Sequence, residues 1–101
     1  MLFGRKAKEK NARMILDGYL SHAATLAKEA DFAFERGDNA SFLRLNQTAM
    51  RVITQLGQLR GYASDNYFMG GKDVSREYVE KIDVLCDDLD KKCLSQRFFG
   101  K

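Results

Sequence analysis

Apolar residues recur along this chain in a rhythm of fours and threes, in three successive stretches. Ala12, Leu16, Tyr19, Ala23, Leu26, Ala30 and Ala33 form the first. Phe42, Leu45, Ala49, Val52, Leu56, Leu59, Ala63 and Tyr67 form the second, and Tyr78, Ile82, Leu85, Leu89 and Cys93 the third. Such steps put residues on one face of a helix, so each stretch predicts a helix with a narrow apolar stripe that must be covered. The expected fold is all-α: a three-helix antiparallel bundle built on a long helical hairpin, with helices at about 6–36, 39–69 and 73–95. The chain reads as a single domain over 1–101, with residues 1–5 and 97–101 as flexible tails.

The punctuation between stretches agrees with this division. Gly37 suits the left-handed position after a helix end, and Asp38 or Asn39 can cap the next helix. Gly70-Gly71 should stop the second helix, with Asp73 as N-cap of the third. Folding the first two helices about Gly37 brings residues whose numbers add to about 75 opposite each other. That register sets Gly18 against Gly57 and suggests a close backbone approach there, since a glycine inside a helix costs about 1 kcal/mol relative to alanine. The second helix also carries Met50 and Ile53 beside its main stripe. This is more apolar surface than one seam requires, and it points to a homodimer or another protein partner.

Composition refines the picture in a few places. The chain has no proline, which suits helix almost throughout, and no tryptophan. Its net charge of +3 is unevenly spread. Basic residues crowd the start, while Glu77, Glu80, Asp83, Asp87, Asp88 and Asp90 make the third stretch acidic. Three acid-first pairs, Glu77–Lys81, Asp87–Lys91 and Asp88–Lys92, have the spacing that supports a solvated helix face. Cys86 and Cys93 lie two helical turns, about 10 Å, apart, too far for a disulfide between them. Two unpaired thiols and the lack of a secretory or membrane-spanning run lead to an expected cytoplasmic location.

Candidate chemistry is sparse. His22 is the single histidine and has no neighbour in sequence to orient it, so no catalytic residue is assigned and no enzyme is expected. The two cysteines and one distant histidine lack the clustering of a metal site, and no phosphate-cradling glycine loop is present. No cofactor is expected. Two surfaces remain. Leu2 and Phe3 at one terminus, Tyr62, Tyr67, Phe68 and Met69 around the second inter-helix turn, and Phe98 and Phe99 at the other terminus are candidate partner contacts. Arg5, Lys6, Lys8, Lys10 and Arg13 are candidate phosphate contacts of a basic arm. A membrane-surface role for that arm ranks below contact with nucleic acid.

The start Met1-Leu2-Phe3-Gly4-Arg5-Lys6 and the turn Glu35-Arg36-Gly37-Asp38 resemble the helical hairpin of membrane-remodelling ESCRT-III-like proteins. The stretch from Gly37 to Leu59 resembles helices of flagellar export chaperones. Each resemblance spans less than half of the chain and includes no diagnostic motif, so no functional residue is carried over. The expected function is therefore that of a non-catalytic protein–protein interaction module: an adaptor, a chaperone-like protein or an inhibitor. The alternative is an accessory nucleic-acid-binding protein that uses the basic arm.

Overall fold

A computed structural model describes residues 2–94, with side chains from Lys6 to Cys93. Helix α1 runs Leu2–Glu35, α2 Asn39–Ala63, α3 Asn66–Met69 and α4 Lys72–Leu89, and a π-helical turn, Asp90–Leu94, continues α4. The fold is an all-α bundle built on the α1–α2 hairpin. The chain travels up α1, down α2, and up again in α4, with one-turn α3 filling the second connection. The result is a rod of 56 × 17 × 16 Å. Its long axis is set by α1, whose 34 residues span about 51 Å.

The three apolar stripes are what the bundle buries. Ala12, Leu16, Ala23, Leu26, Ala30 and Ala33 of α1 meet Phe42, Ala49, Val52, Leu56 and Ala63 of α2 and Tyr78, Ile82, Leu89 and Cys93 of the last helix and its π-turn. Leu20 and Ala27 widen the buried face of α1, and Leu20 lines a hollow with Val84 and Leu85 of α4. The hairpin register is the expected one: Ile15 and Tyr19 line one hollow with Gln55 and Leu59, and the Phe34 and Phe42 rings lie 5.9 Å apart. Seven of the eighteen buried apolar residues among those described are alanines. Small side chains let the helices approach closely but remove little apolar area from water, so stability falls on the few large buried groups, chiefly Leu16, Leu56, Ile82 and Leu89.

Polar ties fix α4 to the hairpin. Tyr78 Oη donates to Asp17 Oδ1 at 2.7 Å, and Lys92 Nζ bridges Asp31 and Asp88. Arg60 forks onto Asp83 with contacts of 2.8 and 3.3 Å. Ser75 Oγ, buried, donates to the Ala63 carbonyl at 2.6 Å, satisfying a carbonyl that the end of α2 leaves open. Asn46 Nδ2 donates to the Cys93 carbonyl. The three expected pairs Glu77–Lys81, Asp87–Lys91 and Asp88–Lys92 all form on α4 and its π-turn.

Four expectations need correction. The first helix begins at Leu2, so the basic arm is helical from its start. The second helix does not reach Met69; it ends at Ala63. Ser64 closes it and Asp65 Oδ1 accepts from Tyr67 N, so the short α3 starts anew. Asp38 caps α2 by accepting from Ser41 N, but Asp73 does not cap α4. Gly71 holds that position without a side-chain bond, and Asp73 lies in the first turn, where its charge suits the helix dipole. Finally, Gly18 and Gly57 do not mark a close approach within the molecule. Both are exposed, and a Cβ on either would meet nothing within 4 Å. The register is right, but these positions turn outward from the seam.

Leu56 and Gly57 are adjacent yet should respond in opposite ways. Leu56→Ala is expected to cost about 2–5 kcal/mol through lost burial and a cavity, whereas Gly57→Ala should gain up to about 1 kcal/mol from helix propensity. Denaturant unfolding reads both. Tyr78 gives a test against pH: its hydroxyl is pushed up to about 12, first by burial, then by the bond to Asp17 and that carboxylate's charge. Below pH 10 both folded and unfolded tyrosine hold the proton. Between about 10 and 12 the unfolded state releases it first, so stability should fall across that window. Tyr78→Phe should flatten this loss relative to the parent chain.

Candidate docking groove

Two hollows are lined by α1, α2 and the turn between them, on the side of the hairpin that α4 leaves open. One, of about 490 Å³, lies near the Gly37 turn and is lined by Glu29, Phe32, Arg36, Ser41, Arg44 and Leu45, among others. The other, of about 360 Å³, is lined by Ile15, Tyr19, Gln55, Gln58, Leu59 and Tyr62. Ile15 and Tyr19 also border a shallower hollow with Met14, Gly18 and His22. These two adjoining hollows make one continuous apolar surface along the lower half of α1.

The aromatic end joins this surface through Tyr62. Its ring stacks on Phe68 at 4.9 Å, and Phe68 meets Tyr67 edge-on at 5.7 Å. Tyr62 and Tyr67 are exposed, while Phe68 is half-buried against the core. The break at Ser64-Asp65 produces this cluster, because it turns α3 back so that Phe68 can reach Tyr62. Met69, expected as a contact, is fully buried and belongs to the core.

Arg13, expected to contact phosphate, is half-buried and engaged inside the molecule. Its Nη2 donates to the Met69 carbonyl at 2.9 Å and so holds the end of α3 against α1. Gly70 follows with a positive φ of 88°, and a Cβ there would lie 2.5 Å from the same Arg13 nitrogen. The turn therefore requires glycine for both backbone and space. Lys6, Lys8 and Lys10 are exposed on α1. Leu2, Phe3 and Arg5 lie on the same helix, but their side chains are outside the described residues, as are Phe98 and Phe99 altogether. The structure thus brings together Tyr62, Tyr67 and Phe68, separates Met69 and Arg13 from the surface, and adds Ile15, Tyr19 and Leu59.

A sequence signal for the added residues exists. Lys8, Asn11, Ile15, Gly18, His22, Thr25 and Glu29 also step by threes and fours, and all are exposed. This second stripe has a cation at one end, a carboxylate at the other and no charge between, in a chain whose charged fraction is 31%. Met14 flanks it, 61% exposed, and Ile15 is itself 50% exposed. Exposed isoleucine alone is ordinary on a protein surface; here Met14 and Ile15 adjoin the hollow that Tyr19, Leu59 and Tyr62 line.

Other chemistry is scattered. His22 is exposed, and Cys93 is buried. The Cys86 thiol is pushed up by burial and then by the charge of Asp83. Among the described residues, no three His, Cys, Asp or Glu side chains come together as a metal site would require, and no helix is long and apolar enough to cross a membrane. The chain matches no known protein family, no curated protein and no solved structure.

Proposed function

We propose that this chain is a non-catalytic helical interaction module, an adaptor, chaperone-like protein or inhibitor, that binds protein through the open side of its α1–α2 hairpin. The supporting observation is the continuous apolar surface from Met14, Ile15 and Tyr19 across Leu59 to the Tyr62–Phe68–Tyr67 cluster. Aromatic and aliphatic groups set in a hollow are what interface centres are made of, and tyrosines add hydrogen-bonding ends at the rim. Among the described residues neither Cys86 nor Cys93 is in a disulfide, which fits a reducing cytoplasmic setting.

A second reading, accessory binding of nucleic acid, is supported by the exposure of Lys6, Lys8 and Lys10 on a helical arm. With Arg13 tied to Met69, that arm offers fewer cations than the sequence suggests. Affinity purification of the full chain from its own cells separates the readings. Ile15→Asp and Tyr62→Asp should each lose a protein held in fixed stoichiometry, a second copy included, while Gln47→Asp retains it and all three fold alike. Equal recovery in all three variants would overturn the module. Nucleic acid retained by the parent chain and lost on replacing Lys6, Lys8 and Lys10 with alanine would establish the second reading in its place.

A further inference from the structure

Gly18 gives up helix stability with no compensation inside the molecule. It stands in mid-helix, exposed, with open space where a Cβ would be, and glycine there is a weaker helix former than alanine. Glycine on an outward face, beside the exposed Met14 and Ile15, lets another backbone come close. The charges on the same face say which backbone. Lys8 and Glu29 stand at the two ends of the stripe, nearly equidistant from Gly18, and both are exposed. Neither takes part in an ion pair among the described residues. Lys8 and Glu29 are complementary to each other in the reversed helix, with Arg36 and Arg44 lining the same hollow as Glu29.

We infer that two copies of this chain associate through an antiparallel pairing of their α1 helices, crossing at Gly18, with Lys8 of each copy against Glu29 of the other. The inference rests on the interaction module proposed above and names its occupant as a second copy. In this pairing, residues whose numbers add to about 37 lie opposite each other. Ile15 packs beside His22 of the second copy, and the two Gly18 residues meet where the helices cross. The contact is isologous, so each favourable pair occurs twice and the association closes at two copies. The outer face of α2, with Leu43, Met50 and Gly57, lacks oppositely charged ends and fixes no such register. The α1–α4 groove around Val84 is rimmed by Glu77, Glu80 and Lys81 and is not self-complementary in this way.

Light scattering coupled to size exclusion tests this over a range of concentrations. The parent chain should reach twice its 11.5 kDa mass. Lys8→Glu and Glu29→Lys should each weaken the dimer about tenfold or more, since each sets two like-charged pairs face to face. The double reversal should restore affinity to within about threefold of the parent. Gly18→Leu should give a monomer with unchanged helix content, because a Cβ there meets nothing within 4 Å in the folded chain. A parent chain that is monomeric at every concentration overturns the self-pairing. If Ile15→Asp then still loses a different protein from the cell, the interaction module stands without it. A dimer indifferent to Gly18→Leu, or to both single charge reversals, overturns it as well.

Discussion

Alanine on the inner side of α1 sets the spacing on which the rest of the structure depends. Ala12, Ala23, Ala27, Ala30 and Ala33 are all buried, opposite Ala49 and Ala63 of α2. Side chains this small let backbones draw together, and three helices fit within a section of 17 × 16 Å. The consequence is a core one layer deep. Large buried groups are few, and the ties from Tyr78, Arg60, Ser75 and Lys92 hold α4 where apolar contact alone is thin. A further consequence is that, among the described residues, two long helices lie against α1. A helix with two such neighbours keeps part of its circumference in solvent, so what occupies that part is a matter of function as much as of folding.

The inner architecture could be read directly from the chain because burial and periodicity have one cause. A residue on the seam is apolar because it is on the seam, so the 4-3 stripes named the core of α1, α2 and α4 almost residue by residue. Gly37 and Asp38 were legible for the same kind of reason: each meets a local backbone need that few other residues meet. The break after Ala63 was less legible. Apolar spacing continues through Tyr67 as though the helix did, while Ser64-Asp65-Asn66, a run that favours turns and caps, competes with it. The cap on Tyr67 N prevails, and Tyr67 remains exposed. Arg13 was misplaced because its role depends on a carbonyl 56 residues away, which no local pattern encodes.

The candidate site was legible only in part, and Gly18 shows why. Its place in the hairpin register was right, and its cost to the helix was right, but a register gives height along an axis and not direction around it. Counted with the inner stripe, Gly18 suggested tight packing between α1 and α2. Counted with Lys8, Ile15, His22 and Glu29, it belongs to an outer stripe that the hairpin does not cover. One helix therefore carries two interleaved patterns, and the stronger one hides the weaker. The aromatic cluster of Tyr62, Phe68 and Tyr67 extends the same outer surface, and it depends on the turn that the apolar spacing conceals.

The central claim is that the outer stripe of α1 is an interface between two copies. The most direct measurement mixes isotope-labelled and unlabelled chains and records nuclear Overhauser effects that cross from one copy to the other. Antiparallel pairing at Gly18 predicts intermolecular cross-peaks between the Ile15 methyl groups and the His22 ring. No intermolecular cross-peak from Ile15, or cross-peaks confined to Met50 or Val84, would contradict it.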